Sequence, residues 1–587
     1  MVDWQDWNED VFAAARERGA AVLLFVRASW CRWCRELEET VFTDPRVERL
    51  IADNFIAVRV DKDRRPDVEA RYTKGGWPTL AYLDDAGEVL SADNYMDADE
   101  LVARLELISE YYRTNREAIQ SRLAAEREAE RAAEEEPVRR SLAALGEHRP
   151  QLSLEIVESV AETVISTADP VHGGWGSRHK FPHPEAIDFA LVRWSQTGDS
   201  RLLDLVRRTL RHMQEGQIHD KVEGGFYRYA TQPDWSVPHH EKMLDSNAQR
   251  LFAYLEAYQT TGEESFRRTA LGVLGWLQST LLDKQTGAFM GSQDADPTYS
   301  HKSTIEARRS GGPPKVDRTI FTNWNAMTVS TLLKASSVLE DTRYSEIALE
   351  TLEFLLAELY DDKLGMLHYW DGHPHLAGLL SDQAYTLRAL VDAVQFSGEN
   401  RYLAVASKLA AITIERFRSP SGAFFDTHFD PSATGELRRR NRSILDNAVV
   451  AEALLRLAHF TRDKDFEDAG REALESFAID YKRYGHFVAG YARAVDLLLH
   501  PPVHVTIVGS ALDGKTQALK QAALRPYVAS RIVQIVDPVA DRELLERFGL
   551  TQHPEGPRAY VHQDRESYAE TSDPTRLPAL MTRAPGL

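Results

Sequence analysis

The sequence predicts a multidomain chain: an α/β domain at the N-terminus, a long all-α domain in the middle and a small α/β appendage at the C-terminus. Three observations carry that expectation. Short apolar runs of strand length, "AAVLLFVRAS" (20–29) and "FIAVRVD" (55–61), fall within the first 110 residues. From about 152 to 500, stretches of helix length with apolar residues at helical spacing alternate with short loops. After 500, "VHVTIVGS" (503–510), "RIVQIVD" (531–537) and "RAYVH" (558–562) read as three short strands separated by helical stretches.

Length and composition agree. A chain of 587 residues exceeds what one ordinary core holds together. At 43% hydrophobic, 9% aromatic and 27% charged it is apolar enough to fold. Lys+Arg 70 against Asp+Glu 90 leaves a formal charge of −20, which repels nucleic acid and anionic lipid, and no basic patch offsets it. The start, "MVDWQDWNEDVF", lacks the basic and apolar regions of a secretory signal. No apolar run reaches the roughly 18 residues of a membrane span. Two cysteines rule out a disulfide scaffold and make the reducing cytoplasm the expected compartment. No cofactor, nucleic acid or membrane partner is expected.

Within the first domain (1–112), "AAVLLFVRAS" leads into "WCRWC" and then into "RELEETVF", whose spacing suits a helix. Cys31 and Cys34 thus sit where a strand hands over to a helix. Free backbone N–H groups and the helix dipole there favour an anion, so Cys31 is the expected nucleophile and Cys34, one turn further in, the resolving thiol. A zinc site needs four ligands, and no second pair of cysteines exists. "KGGWPTLAYLDDAG" (74–87) places Pro78 just ahead of another strand.

Strand, CxxC at a helix start, strand, then G-x-P-T before a strand resembles the thioredoxin fold, in which a proline faces the dithiol. Two departures stand out. Phe25 occupies the position, six residues before Cys31, where thioredoxins carry a buried acid. Arg32-Trp33 replaces the usual Gly-Pro, adding a cation that lowers the Cys31 pKa and a bulky ring that restricts partners.

The likeness extends beyond the fold. "WCRWCRELEETVFTDPRVERLIADNFIAVRVDKDRRPDVEARY" with "GGWPT", His179-Lys180-Phe181-Pro182, "GGFYRYA" (224–230), "PHHEKMLDSNA" (238–248) and "GSQDAD" (291–296) resemble the family typified by spermatogenesis-associated protein 20. That resemblance implies a thioredoxin-like domain of ill-defined activity ahead of a long helical domain. Asp245-Ser246-Asn247 departs from the family's Tyr-Asp-Asn, so Asp245 stands one position ahead of the family's acid.

"NREAIQSRLAAEREAERAAEEEPVRR" (115–140) lacks a large apolar stripe and reads as a solvated helical linker (113–150) ending near Pro137. In the domain that follows (151–500) about a dozen helices are expected. "LDSNAQRLFAYLEAY" puts Leu244, Ala248, Leu251, Phe252, Leu255 and Tyr258 on one face. Small-residue and aromatic turns recur near 173, 224, 287, 365, 422 and 485. Six such hairpins closing a ring make an (α/α)6 toroid, which resembles the six-hairpin glycosidases and the N-acylglucosamine 2-epimerases. That resemblance implies a sugar pocket at the loop end of the inner helices.

The loops carry aromatic rings for stacking and carboxylates for proton transfer. Catalytic candidates are Glu241, His240 and Asp294 beside the dithiol set Cys31, Cys34 and Pro78. Binding candidates are His239, Trp235, Tyr227, Arg228, Trp324, Asn325 and Asp382, with His219, Asp220, Lys242, Asp296 and Tyr385 nearby. "HHEKML" fails the H-E-x-x-H pattern, so no metal is expected there. A disulfide in a protein partner and a carbohydrate are the two substrates these sites imply. Two function classes follow: a thiol–disulfide oxidoreductase, or a sugar epimerase or hydrolase with a structural thioredoxin-like domain. A third is a binding scaffold without catalysis. The appendage (501–587) has no cysteine to add a second dithiol.

Overall fold

The computed structural model describes residues 1–145, 150–550, 556–563 and 566–582. The chain divides into two compact units, one of residues 1–149 with 425–441 and one of 150–424 with 442–587.

In the first unit, strands β1 (Ala21–Arg27), β2 (Phe55–Asp61), β3 (Thr79–Leu83) and β4 (Val89–Asp93) form one sheet in the order β2-β1-β3-β4. β1 runs parallel to β2, with Phe25 opposite Arg59, and antiparallel to β3, with Phe25 opposite Leu80. A central strand covered on both faces needs apolar residues at every position, and β1 is buried from Ala21 to Val26. Val22, Leu24, Val26, Ile56, Val58 and Val60 form the core on one face with α1 (Glu9–Arg18). On the other, Phe25 packs with Trp4 and Phe42, ring centroids 5.6 and 5.2 Å away. The position of the thioredoxin acid is therefore filled by an aromatic cluster.

Downstream of the dithiol, α2 (Arg32–Glu36) widens into a π turn over Leu37–Val41, and α3 (Pro45–Asn54) and α4 (Pro66–Tyr72) follow. Then α5 runs without a break from Ala98 to Leu145, so the expected boundary at 112 falls inside a helix. The reason lies in Tyr112, Ile119 and Leu123, which recur at helical spacing and are buried. Residues 146–149 of the expected linker lie outside the described residues.

The segment 425–441 completes this unit. Arg71 donates to the Arg439 carbonyl at 2.6 Å and to the Asp426 carboxylate at 3.1 Å. The Tyr72 hydroxyl donates to the Gly87 carbonyl at 2.7 Å and accepts from the Glu436 N–H at 2.9 Å. Gly435, at φ 59°, admits no side chain, because a Cβ would lie 2.3 Å from the Gly87 carbonyl oxygen.

In the second unit, six helices among the described residues close a ring, each packing on the next and the last on the first. They are Pro184–Thr197, Leu244–Thr261, Thr322–Leu339, Leu380–Ser397, Ile444–Thr461 and Ala489–Leu499. Their outer partners are Ser200–Glu215, Glu264–Trp276, Thr342–Glu358, Arg401–Phe417, Lys464–Glu475 and, closing the circle, Leu154–Ser166. This is an (α/α)6 toroid. Inner helices end on left-handed residues, Gly198, Gly262, Glu340, Gly398 and Arg462. Asp199, Asp341 and Asp463 then cap the outer helices that follow.

At the opposite end a carboxamide at the fourth residue of four inner helices clamps the preceding turn. Asn247 accepts the Phe226 N–H at 2.7 Å and donates to the carbonyls of Phe226 and Met243. Asn325 does the same for Phe289 and Phe321, Gln383 for Met366 and Leu379, and Asn447 for Phe424 and Ser443. These bonds satisfy backbone groups that the buried turn would otherwise leave unpaired.

The appendage is a four-stranded sheet in the order Arg531–Val536, Val503–Val508, Arg558–Gln563, Glu566–Thr571. The sequence predicts the first three. The fourth, "ESYAET", is polar and closes the sheet as an edge strand. Among the described residues, no helix is long and apolar enough to cross a membrane.

Candidate functional sites

Cys31 is the N-cap of α2, and its sulfur accepts the Cys34 N–H at 3.3 Å. Its thiol also reaches the Trp77 carbonyl at 3.8 Å, which brings the dithiol beside the cis Trp77–Pro78 peptide. Cys34 is fully buried, and its thiol is pushed far up by its hydrogen bond to Cys31 and by burial. Cys31 is 6% exposed, and both cysteines are free thiols. The sequence-expected trio of Cys31, Cys34 and Pro78 therefore converges. Around it, Trp30 donates to the buried Asp63 carboxylate at 2.7 Å, and Lys62 lies over both Trp30 and Trp77. Trp33 is half exposed and meets Tyr95 edge-on at 5.2 Å.

The loop end of the toroid gathers many of the other candidates into a satisfied polar network. Lys242 donates to Asp220 at 2.5 Å and to the Gly224 carbonyl at 2.8 Å. Arg308 joins Asp220 at 2.6 Å and Glu223 at 2.7 Å. Burial pushes the Asp220 carboxyl up, but Lys242 and Arg308 outweigh it and hold it at about 2. Lys180 repeats the pattern one hairpin earlier, donating to Asp169 and the Gly173 carbonyl at 2.8 Å each.

His240 meets Tyr227 and His301 edge-on, and its ring is lowered to about 4 by burial, His301 and His239. His239 stacks on Tyr229 at 4.3 Å. Lys242 pairs with Gln293 across an antiparallel ladder, and Glu241 and Asp294 are the residues next to that pair. Both are buried. Trp235 is wholly buried and donates to the His172 carbonyl at 3.0 Å. The Arg228 carbonyl accepts from Arg250 at 2.5 Å, and Trp324 packs on Phe321. Asn325 is one of the turn clamps. Asp382 faces His368 at 3.0 Å, and burial raises its carboxyl against the pull of that histidine.

The central cavity is lined by a different set of side chains. Its volume is about 340 Å³, its walls come from all six inner helices, and residues 528–532 of the appendage contribute to its lining. Of the candidates read from the sequence, Tyr385 lines it. Every inner helix also contributes a charged residue from the middle of an apolar run, Asp188, Glu256, Lys334, Asp392, Glu452 and Arg493, and Glu185, Arg388, Asp446 and Arg456 add further charges to the lining. Lys334 donates to Glu256 at 2.5 Å, Arg456 to Asp392 at 2.6 Å, and Arg493 lies 3.8 Å from Asp188. Asp188 and Glu256 stand within hydrogen-bonding reach of each other. Burial and the Glu256 charge raise Asp188 well above the carboxylate range. Burial also pushes Glu256 up, but Lys334 outweighs it and keeps that group ionised. The signal that marks these residues in the sequence is a lone charge inside an apolar helical run, as in "AIDFALV", "LLKASS" and "VVAEALL".

One group of metal-ligating atoms occurs among the described residues. Asp371, His373 and His375, at the tip of the hairpin Gly365–Trp370/Pro374–Ala377, bring their ligand atoms within 4.8 Å of one another.

Fold and sites together define a thioredoxin-like domain with a CxxC, joined to a toroid of six helical hairpins. Residues 1–130 match the family described as protein of unknown function DUF255, a thioredoxin-like DsbH model. The whole chain is homologous to spermatogenesis-associated protein 20. It is 23% identical to that protein of Homo sapiens over 99% of this chain and 90% of the relative. A 98-residue stretch, 16% of each chain, is 26% identical to thiol:disulfide interchange protein DsbD of Yersinia pestis. Among solved structures, the toroid aligns with cellobiose 2-epimerase from Spirochaeta thermophila at 13% identity and a TM-score of 0.48, over 59% of this chain and 96% of that one. A D-mannose isomerase aligns at 12% identity and a TM-score of 0.47, over 59% and 98%.

Proposed function

We propose that the protein is a thiol–disulfide oxidoreductase acting through Cys31 and Cys34. The observation that carries this reading is the asymmetry of the pair. Cys31 caps a helix and has an edge toward solvent, while Cys34 is sealed beneath it with its proton held. In the forward step the Cys31 thiolate attacks one sulfur of a protein disulfide, forming a mixed disulfide and releasing one substrate thiolate. Cys34 then gives up its proton and attacks the Cys31 sulfur. The second substrate thiol leaves, the partner is reduced by two electrons, and Cys31–Cys34 becomes the disulfide. A dithiol such as dithiothreitol restores it. The likeness to DsbD supports the same chemistry, and the reading fits a reducing cytoplasm.

The test is insulin reduction with dithiothreitol, and trapping by Cys34→Ser. Wild type should accelerate turnover over dithiothreitol alone. Cys34→Ser should accumulate a mixed disulfide at Cys31, and Cys31→Ser should do neither. No acceleration and no trapped adduct would end the reading.

A second reading rests on the cavity. Asp188 and Glu256 supply two carboxyls side by side whose affinities for a proton are pushed apart, Asp188 upward and Glu256 downward, and Phe252 and Tyr385 supply ring faces. That combination suits acid–base chemistry on a carbohydrate. Hydrolysis at two flanking carboxylates needs a separation of about 5–9.5 Å, so two carboxyls within hydrogen-bonding reach of each other favour isomerisation or epimerisation. A panel of aldoses and ketoses, read by melting temperature and by solvent deuterium uptake at the sugar α-carbon, tests it. No shift and no exchange across the panel would leave the toroid as a scaffold.

A further inference from the structure

A second cavity, of about 220 Å³, lies where the toroid meets the appendage. Its lining takes His459 and Arg462 from the fifth inner helix and its cap, Glu467 and Arg471 from the next outer helix, and His504 and His562 from neighbouring strands. The balance of charge is unlike that of the chain. Glu467 is the one acid in the lining, and Arg471 engages it at 3.0 Å. Arg462 lies over the Phe548 ring at 4.3 Å.

The rings of His504 and His562 stand 5.9 Å apart, and the Nε2 atom of each is buried without a hydrogen-bond partner. His562 is 6% exposed. An unpaired ring nitrogen in a polar cavity costs stability unless a ligand completes it. The groups acting electrostatically on His504 are all cationic or able to become so: His562, His459 and Arg462. A metal is the weaker fit, because His459, His504 and His562 do not bring three ligand atoms within 4.8 Å of one another. Leu497, Pro501 and Pro502 add apolar surface to the lining.

We propose that this cavity binds a small organic anion, its phosphate or carboxylate among Arg462, His504 and His562 and its apolar body against Leu497 and Pro502. The anion would accept from both orphaned ring nitrogens as those rings become doubly protonated. Binding should therefore tighten as pH falls, with Arg462 and Arg471 charged throughout and Glu467 already engaged.

The experiment uses the full chain at constant ionic strength. Melting temperature is followed against inorganic phosphate, phenyl phosphate and benzoate at pH 6 and pH 8. A saturable rise is expected, with phenyl phosphate tighter than phosphate if the head is a phosphate, and benzoate effective if it is a carboxylate. Benzoate keeps its charge over this range, whereas phenyl phosphate becomes more negative toward pH 8 because its second pKa is about 6, a change that opposes the expected trend, so affinity about tenfold tighter at pH 6 would report the histidines. His504→Gln and His562→Gln should lose the shift. In wild type, the effective anion should shield both histidines from diethylpyrocarbonate, read by peptide mass spectrometry, which does not depend on either variant folding. Absence of a saturable shift and of shielding would overturn the proposal, as would a saturable response to Zn²⁺ with none to any anion.

Discussion

At the loop end of the toroid, Asp220 is enclosed by Lys242 and Arg308, and the carboxamide of Asn325 is spent on three backbone groups. Inside the cavity, Asp188 and Glu256 lie within hydrogen-bonding reach beside an open space, the one carboxyl raised and the other lowered. Both regions are polar, buried and rich in titratable groups, so residue type alone does not distinguish them. What distinguishes them is saturation. A buried polar group whose every bond ends on its own backbone or on a fixed counter-ion holds the fold together. One that faces a void retains capacity for a ligand.

The comparison is most exposed to Asp220→Asn. Removing one partner of a buried charge cluster leaves Lys242 and Arg308 uncompensated, and the expected loss is about 3–5 kcal/mol. The wild-type pH dependence follows from the depressed carboxyl. Its contribution is complete above the unfolded value of about 3.9 and is lost as pH falls toward the folded value of about 2. Urea midpoints measured between pH 5 and pH 2 should fall across that window in wild type. The same component should be missing in the variant. A variant as stable as wild type would move Asp220 into the class of ligand-facing groups.

Asn325→Ala is a smaller break. It orphans the buried Phe289 N–H and the carbonyls of Phe289 and Phe321, with an expected cost of about 2–3 kcal/mol. Asn325→Asp should recover part of this, since a carboxylate still accepts the Phe289 N–H but cannot donate. Thermal unfolding of both variants checks the order.

How much of this was legible in the sequence differs between the two regions for a physical reason. Helical periodicity over long runs marks the inner helices well: "LDSNAQRLFAYLEAY" begins where the second one begins, at Leu244. The hairpin turns were also readable, through small-residue and aromatic runs near 224, 287 and 422, which the structure clamps at the start of the inner helices. The CxxC with Pro78 was readable because a local motif and one distant residue define it. The cavity was not, because Asp188, Glu256 and Lys334 come from three helices far apart in sequence, and only ring closure brings them together. The loop motifs, by contrast, are conspicuous on paper because clamping a buried turn takes dense runs of Asn, Asp, Lys and His. The expected domain end at 112 leaves no mark in secondary structure, because α5 runs through it from Ala98 to Leu145.

The mildest variant sharpens the comparison most. Asp188 lines the cavity with its carboxyl raised well above the ordinary carboxylate range by burial and by Glu256. A carboxyl whose folded pKa is raised contributes stability below its unfolded value and loses it as pH climbs through the folded one. Asp188→Asn keeps the shape and a donor toward Glu256 while removing the group that must ionise. Stability at pH 7 should therefore change by less than about 1 kcal/mol, and the decline toward alkaline pH should be shallower than in wild type. Urea midpoints from pH 5 to pH 9 measure both. Any activity found on a cavity ligand should disappear in the same variant, since the proton Asp188 holds is the one such chemistry would use. If Asp188→Asn instead unfolds the toroid as readily as Asp220→Asn, the cavity acid is structural as well, and saturation by neighbours ceases to separate the two regions.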